Sequence, residues 1–172
     1  MKLIRTIRLD TSDLSVFSRA AEPGEWAVSG AFMFWDQPPE TLTGKDRQAF
    51  RNGFLGIDSL GWSTLAVVSE ASPDERAEAV TQLALRLVTN FGAPSDEAAQ
   101  AAAEQEIAFA ESLAEAAVGT LIAVERVVEE GDIRERFRTL LPTGDAMHNR
   151  AFEFEPEDGE SGLAALVREA RL

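Results

Sequence analysis

The chain contains no cysteine. That excludes disulfide frameworks, thiol nucleophiles and thiolate metal sites. It has a single histidine, His148, so a carboxylate metal centre completed by several imidazoles cannot be assembled. No stretch approaches the roughly 20 apolar residues needed to cross a bilayer. Met1-Lys2-Leu3-Ile4-Arg5 returns to a charge after two apolar residues, unlike the apolar region of a secretory signal. These features predict a cytoplasmic protein with no membrane association. Basic residues are scarce as well. Sixteen face 30 acids, for a net charge of −14. A field of that sign repels nucleic acid, whose binding rests on cations neutralising phosphates. Between Arg86 and Arg126 there is no lysine or arginine, while Asp96, Glu97, Glu104, Glu106, Glu111, Glu115 and Glu125 fall inside. That segment is the expected negative pole.

Several catalytic signatures are missing too. Thr43-Gly44-Lys45 lacks the upstream glycine of a phosphate loop. No dinucleotide fingerprint or nucleophile elbow occurs.

What is present suits one globular domain over residues 1–172, with a core in 1–141 and a polar extension in 142–172. The chain is long enough to close a core without metals or disulfides, and 45% of it is hydrophobic. Lys2 to Leu9 alternates as a half-buried strand does. Ser15 to Arg19 and Trp26 to Ser29 read as short strands around a Glu22-Pro23-Gly24 turn. Ala31 to Trp35 reads as an aromatic strand, and Trp62 to Glu70 as another strand. Thr43 to Asn52 suits a short helix, with Thr43 as N-cap and Gly53 as its end.

Ser72-Pro73-Asp74-Glu75 is a strong helix start, because serine caps, proline fits the first turn and Glu75 completes a capping box. Apolar residues then recur at Ala77, Val80, Leu83, Ala84, Leu87, Val88 and Phe91. Gly92 and Pro94 break the helix, and Ser95 starts an alanine-rich one running to about Ala117. Residues 120–129 and 132–141 form a hairpin about a two-residue turn at Glu130-Gly131. This register sets Val124 opposite Phe137, Val128 opposite Ile133 and Arg126 opposite Glu135. A one-residue slip would set Arg126 against Arg136, which is unfavourable. Arg150 to Glu155 suits an edge strand, and Leu163, Leu166, Val167 and Ala170 a short terminal helix. The expected fold is α+β: a mainly antiparallel sheet of five to seven strands, with the helical hairpin of about 72–117 packed on one face.

Four features bear on chemistry. His148, in a polar segment without partners at ligand spacing, reads as a solvent-facing side chain rather than a base. Glu97, Glu104, Glu111 and Glu115 recur along one side of the alanine-rich helix. They form a solubilising stripe or a docking surface for a basic partner. Arg134, Arg136 and Arg138 share a strand face with Glu125 and Glu129 and read as an ion-pair ladder, which Lys2 and Arg8 would join if the strands were neighbours. Trp26, Trp35 and Trp62, with Arg47 and Arg51, could wall a pocket for a small carboxylate or acyl compound. Aromatics of this density more often fill a core.

The segments Leu3-Ile4-Arg5-Thr6-Ile7-Arg8-Leu9-Asp10, Gly24-Glu25-Trp26-Ala27-Val28 and Gly61-Trp62-Ser63-Thr64 are carried together here. With Gly119-Thr120-Leu121-Ile122-Ala123-Val124, Ile133-Arg134-Glu135 and Phe137-Arg138-Thr139-Leu140, the chain resembles a small bacterial family of uncharacterised proteins, as far as about Leu141. The resemblance implies a bacterial cytoplasmic protein and carries over no catalytic residue. The sequence therefore favours a non-catalytic accessory or binding protein, acting through a protein partner or a homodimer, with no cofactor and no metal. A small enzyme or ligand-binding protein is the alternative.

Overall fold

A computed structural model describes residues 1–140 and the two residues 156–157. The elements run β1 (Lys2–Ile7), α1 (Ser12–Val16), β2 (Ala27–Val28), α2 (Gly44–Asn52), β3 (Phe54–Gly56), β4 (Trp62–Ser63), β5 (Leu65–Glu70), α3 (Pro73–Phe91), α4 (Asp96–Leu113), β6 (Leu121–Glu129), β7 (Asp132–Leu140) and β8 (Pro156–Glu157). The fold is α+β. One antiparallel sheet has the order β1-β5-β6-β7-β8 and a second, smaller one the order β2-β3-β4.

The β6–β7 hairpin has the register read from its charges. Val124 faces Phe137, Arg126 faces Glu135 and Glu125 faces Arg136. Glu130 and Gly131 both take positive φ, at 52° and 81°, the geometry of a tight hairpin turn that matches strand twist. Helix α3 begins with the expected capping box, in which Glu75 N–H donates to Ser72 Oγ and Ser72 N–H donates to the Glu75 carboxylate. It stops at Gly92, which is left-handed. Ser95 caps α4 by accepting from Ala98 N–H.

Four expectations need correction. Residues 15–19 do not form a strand, since the chain turns helically over Ser12–Val16. Asp10 and Thr11 supply local acceptors, for Ser12 N–H and Leu14 N–H, that start the turn. Ala31–Phe34 is a 3-10 turn instead of an aromatic strand. Gly30, at φ +81°, redirects the chain there, and three-residue spacing buries Ala31 and Phe34 together. The strand 62–70 is divided between the two sheets. Thr64 lies at the break, where the buried Asp13 carboxylate takes Thr64 Oγ1–H at 2.5 Å and its N–H at 3.3 Å. Finally, α4 ends at Leu113 rather than near Ala117, and the Lys2 ammonium caps the following carbonyls of Glu115 and Ala116. Thr43 does hold the N-cap position of α2, but its side chain makes no capping bond. The expected strand 150–155 and terminal helix 163–170 lie outside the described residues.

The buried apolar side chains form one contiguous cluster that includes Leu3, Ile4, Phe17, Leu55, Leu83, Ile107 and Ile122. Leu3 and Ile4 point to opposite faces of β1 and both are buried, because α4 and the small sheet both contact that strand. Helices α3 and α4 pack on each other. Across their surface Arg76 reaches Glu104 at 2.5 Å and Glu111 at 2.9 Å.

Candidate functional site

Arg126 sits in the middle of β6 on the face that carries Val124 and Val128, and it is 0% exposed. A guanidinium cannot give up its proton and must find partners when it is buried. Its Nη1 donates to Gly53 O at 2.8 Å and Phe50 O at 3.0 Å, which are carbonyls at the C-terminal end of α2. Cations are favoured at that end of a helix. Nη2 donates to Ser29 O, and to Ser29 Oγ at 3.1 Å. The Ser29 hydroxyl in turn donates to the Glu135 carboxylate, whose oxygens lie 2.8 and 3.0 Å away. Glu135 Oε1 lies 3.7 Å from Arg126 Nε, an ion pair without a hydrogen bond.

A second carboxyl comes from α4. Glu106 shares the helix's inner face with Ala99, Ala103, Ile107 and Ala110 and is 3% exposed. Its Oε2 is buried without a hydrogen-bond partner among the described residues. Burial pushes its pKa up to about 8, with Glu135 adding to the rise and Arg126 opposing it. Burial likewise pulls the Arg126 guanidinium down, against the two carboxylates. The group therefore joins α4, α2, the segment after β2, and the central hairpin through polar side chains closed off from solvent. The hairpin register already set Arg126 opposite Glu135 on the apolar face. Glu106 is missed: in the sequence it counts only among the acids of the negative segment, although it shares the helical spacing of the buried Ala99, Ala103 and Ala110. Nothing in the sequence marks Ser29.

The tryptophan set is not brought together. Trp62 is interior, with its ring 5.4 Å from that of Phe34 in a stack. A Cβ added at Gly30 or Gly53 would strike it, so the space beside it is filled. Trp35 is 38% exposed. Arg47 and Arg51 are exposed on α2. Trp26 alone of the five lines a groove of about 540 Å³ against α3. There Arg5 lies over the indole, 3.4 Å from its ring centroid, within 3.5 Å of Glu75. Asp58, Glu78 and the exposed Leu85 complete the groove.

The acidic stripe is divided by its partners. Glu104 and Glu111 are held by Arg76, and each helps to raise the pKa of its guanidinium, Glu104 the more. Arg76 in turn lowers that of Glu104. Glu97 and Glu104, with Asp96, Gln100 and Ala101, form an open, exposed patch on the outer side of α4. Glu115 lies exposed beyond the helix end. The arginine ladder of β7 is present, with Arg134 and Arg136 at Glu129 and Arg138 at Glu125. Lys2 and Arg8 do not join it, because β1 pairs with β5, and Arg8 instead donates to Ala21 O. His148 lies outside the described residues.

Residues 1–158 match the model of the Family of unknown function (DUF6505). The chain belongs to this family. The match continues past Leu141, where the resemblance read from the sequence had faded, and takes in β8. No curated protein and no solved structure matches the chain. Family membership therefore assigns no activity, and among the described residues no helix is long and apolar enough to cross a membrane. No three histidine or carboxylate side chains among those residues converge as metal ligands.

Proposed function

We propose that this protein is a non-catalytic accessory protein of the cytoplasm, working as one unit, which docks a basic protein partner on the outer side of α4. The observation that carries this reading is the exposed acidic patch of Asp96, Glu97 and Glu104, set in the stretch without lysine or arginine between Arg86 and Arg126. Acids so placed focus a negative field that steers a cationic surface into contact. A second copy of this chain is a poorer occupant, since its net charge of −14 repels itself. The non-catalytic part rests on Ser29, Glu106, Arg126 and Glu135. They offer nucleophile, acid and base chemistry, yet are all buried, away from any substrate.

Glu104 and Glu111 cannot be reversed cleanly, because Arg76 needs both. The test is therefore an Asp96→Lys/Glu97→Lys double variant in native pull-downs at low and high salt. The expected result is a partner retained by the wild type, weakened by salt and lost from the variant with no change in circular dichroism. A variant that keeps every wild-type interaction overturns the reading. Binding of a small carboxylate or acyl compound in the α3 groove draws support from Trp26 and Arg5, with Asp58, Glu75 and Glu78 opposing it. Thermal-shift screening of small carboxylates tests that alternative.

A further inference from the structure

Arg126 and Glu135 already balance one another, and Ser29 bridges them. Glu106 brings a further ionisable group to the same sealed space. The guanidinium Nη groups are spent on carbonyls of Phe50, Gly53 and Ser29, and Glu106 Oε2 is left without a hydrogen-bond partner among the described residues. The surrounding elements offer Glu106 no further counter-charge among the described residues. From β6 and β7 it meets Arg126 and Glu135. On β1, Lys2 is occupied beyond the end of α4 and Arg5 lies on Trp26. Strand β2 has only Ala27 and Val28. On α3, Arg76 is engaged by Glu104 and Glu111.

We infer that Glu106 is a proton-dependent latch, which seats α4 on the sheet by holding a neutral carboxyl beside the Arg126–Glu135 pair. An ionised Glu106 would leave two carboxylates against one guanidinium in an apolar interior, which is costly unless the site opens to water. Burial and Glu135 both raise the pKa of this carboxyl, so the proton is held at pH values where an exposed glutamate has lost it. When α4 lifts, the group returns to an ordinary acidity and releases the proton. Seating thus weakens as pH rises. The latch is independent of what docks on the outer side of α4.

Hydrogen exchange of the α4 amides, corrected for intrinsic rates, tests this in the wild type and in Glu106→Gln, which keeps the shape of the neutral form. The wild type is expected to lose protection in α4 by up to about tenfold per pH unit from about pH 5 to about 8, and then to level off. Glu106→Gln is expected to stay flat across that range. An equal slope in both proteins, or a flat wild type, overturns the latch. Should the variant fail to fold, carbon NMR of the Glu106 carboxyl in the wild type decides. Titration near pH 8 supports the latch, and titration in the ordinary carboxylate range overturns it.

Discussion

Arg126 gives up its hydration entirely, and that loss is offset only because acceptors converge on it from three directions. The α2 carbonyls take one end of the fork, Ser29 takes the other, and Glu135 supplies the opposite charge. Ser29 is the most economical point of attack, since its hydroxyl both donates to Glu135 and accepts from Arg126. Replacement by alanine leaves two buried charged groups short of a partner. We expect Ser29→Ala to lose about 1–3 kcal/mol of unfolding free energy in urea titrations. Part of this was legible in the sequence. Arg126 opposite Glu135 follows from hairpin register, whereas Glu106 counted only as one more acid of the negative segment, since a glutamate on an alanine-rich helix reads as surface. Ser29 is a residue type at home in any loop, so only the tertiary meeting of β2 with the hairpin gives it a role.

The elements formed as local chemistry dictates where that chemistry is strong. The Ser72–Glu75 box fixes the start of α3 without tertiary help. Ser72→Ala is expected to lower stability by about 1 kcal/mol, read as a drop in melting temperature. Where the local signal was weak, packing decided. The run Ala31-Phe32-Met33-Phe34 has the aromatic composition of a strand. Gly30 turns it into a 3-10 segment, so that Phe34 reaches both Trp62 and Phe50. Likewise Trp62 to Glu70 is apolar enough for one strand, and Asp13, distant in sequence, breaks it at Thr64. The acidic stripe shows the same limit. Its spacing was visible, but not that Arg76 of the neighbouring helix would claim Glu104 and Glu111.

Across the molecule, charge is sorted by depth, and pH acts on the two layers with opposite sign. Near the surface, Glu104 is held below its ordinary pKa by Arg76, and Glu75 by the Ser72 N–H. Their contributions are present above the ordinary carboxylate range and fade as pH falls through it. Glu106, raised to about 8, acts the other way. Between about pH 5 and 8 the folded chain holds a proton that the unfolded chain has released. Stability therefore falls with rising pH, by of order 1 kcal/mol per unit, and flattens beyond. The expected maximum in urea midpoint lies in the mildly acidic range. A midpoint that climbs steadily from pH 5 to 9 would contradict this.

The polar group around Arg126 is a sealed structural joint, unlike the exposed charges on the other face of the hairpin. Urea unfolding of Arg126→Met beside Arg136→Met tests that contrast most directly, because the two arginines sit on opposite faces of one hairpin. We predict a loss of about 3–5 kcal/mol for Arg126→Met, which strands Glu135 in the interior. For Arg136→Met, whose ion pair is exposed, we predict less than about 1 kcal/mol. Equal and small losses at both positions would contradict the account.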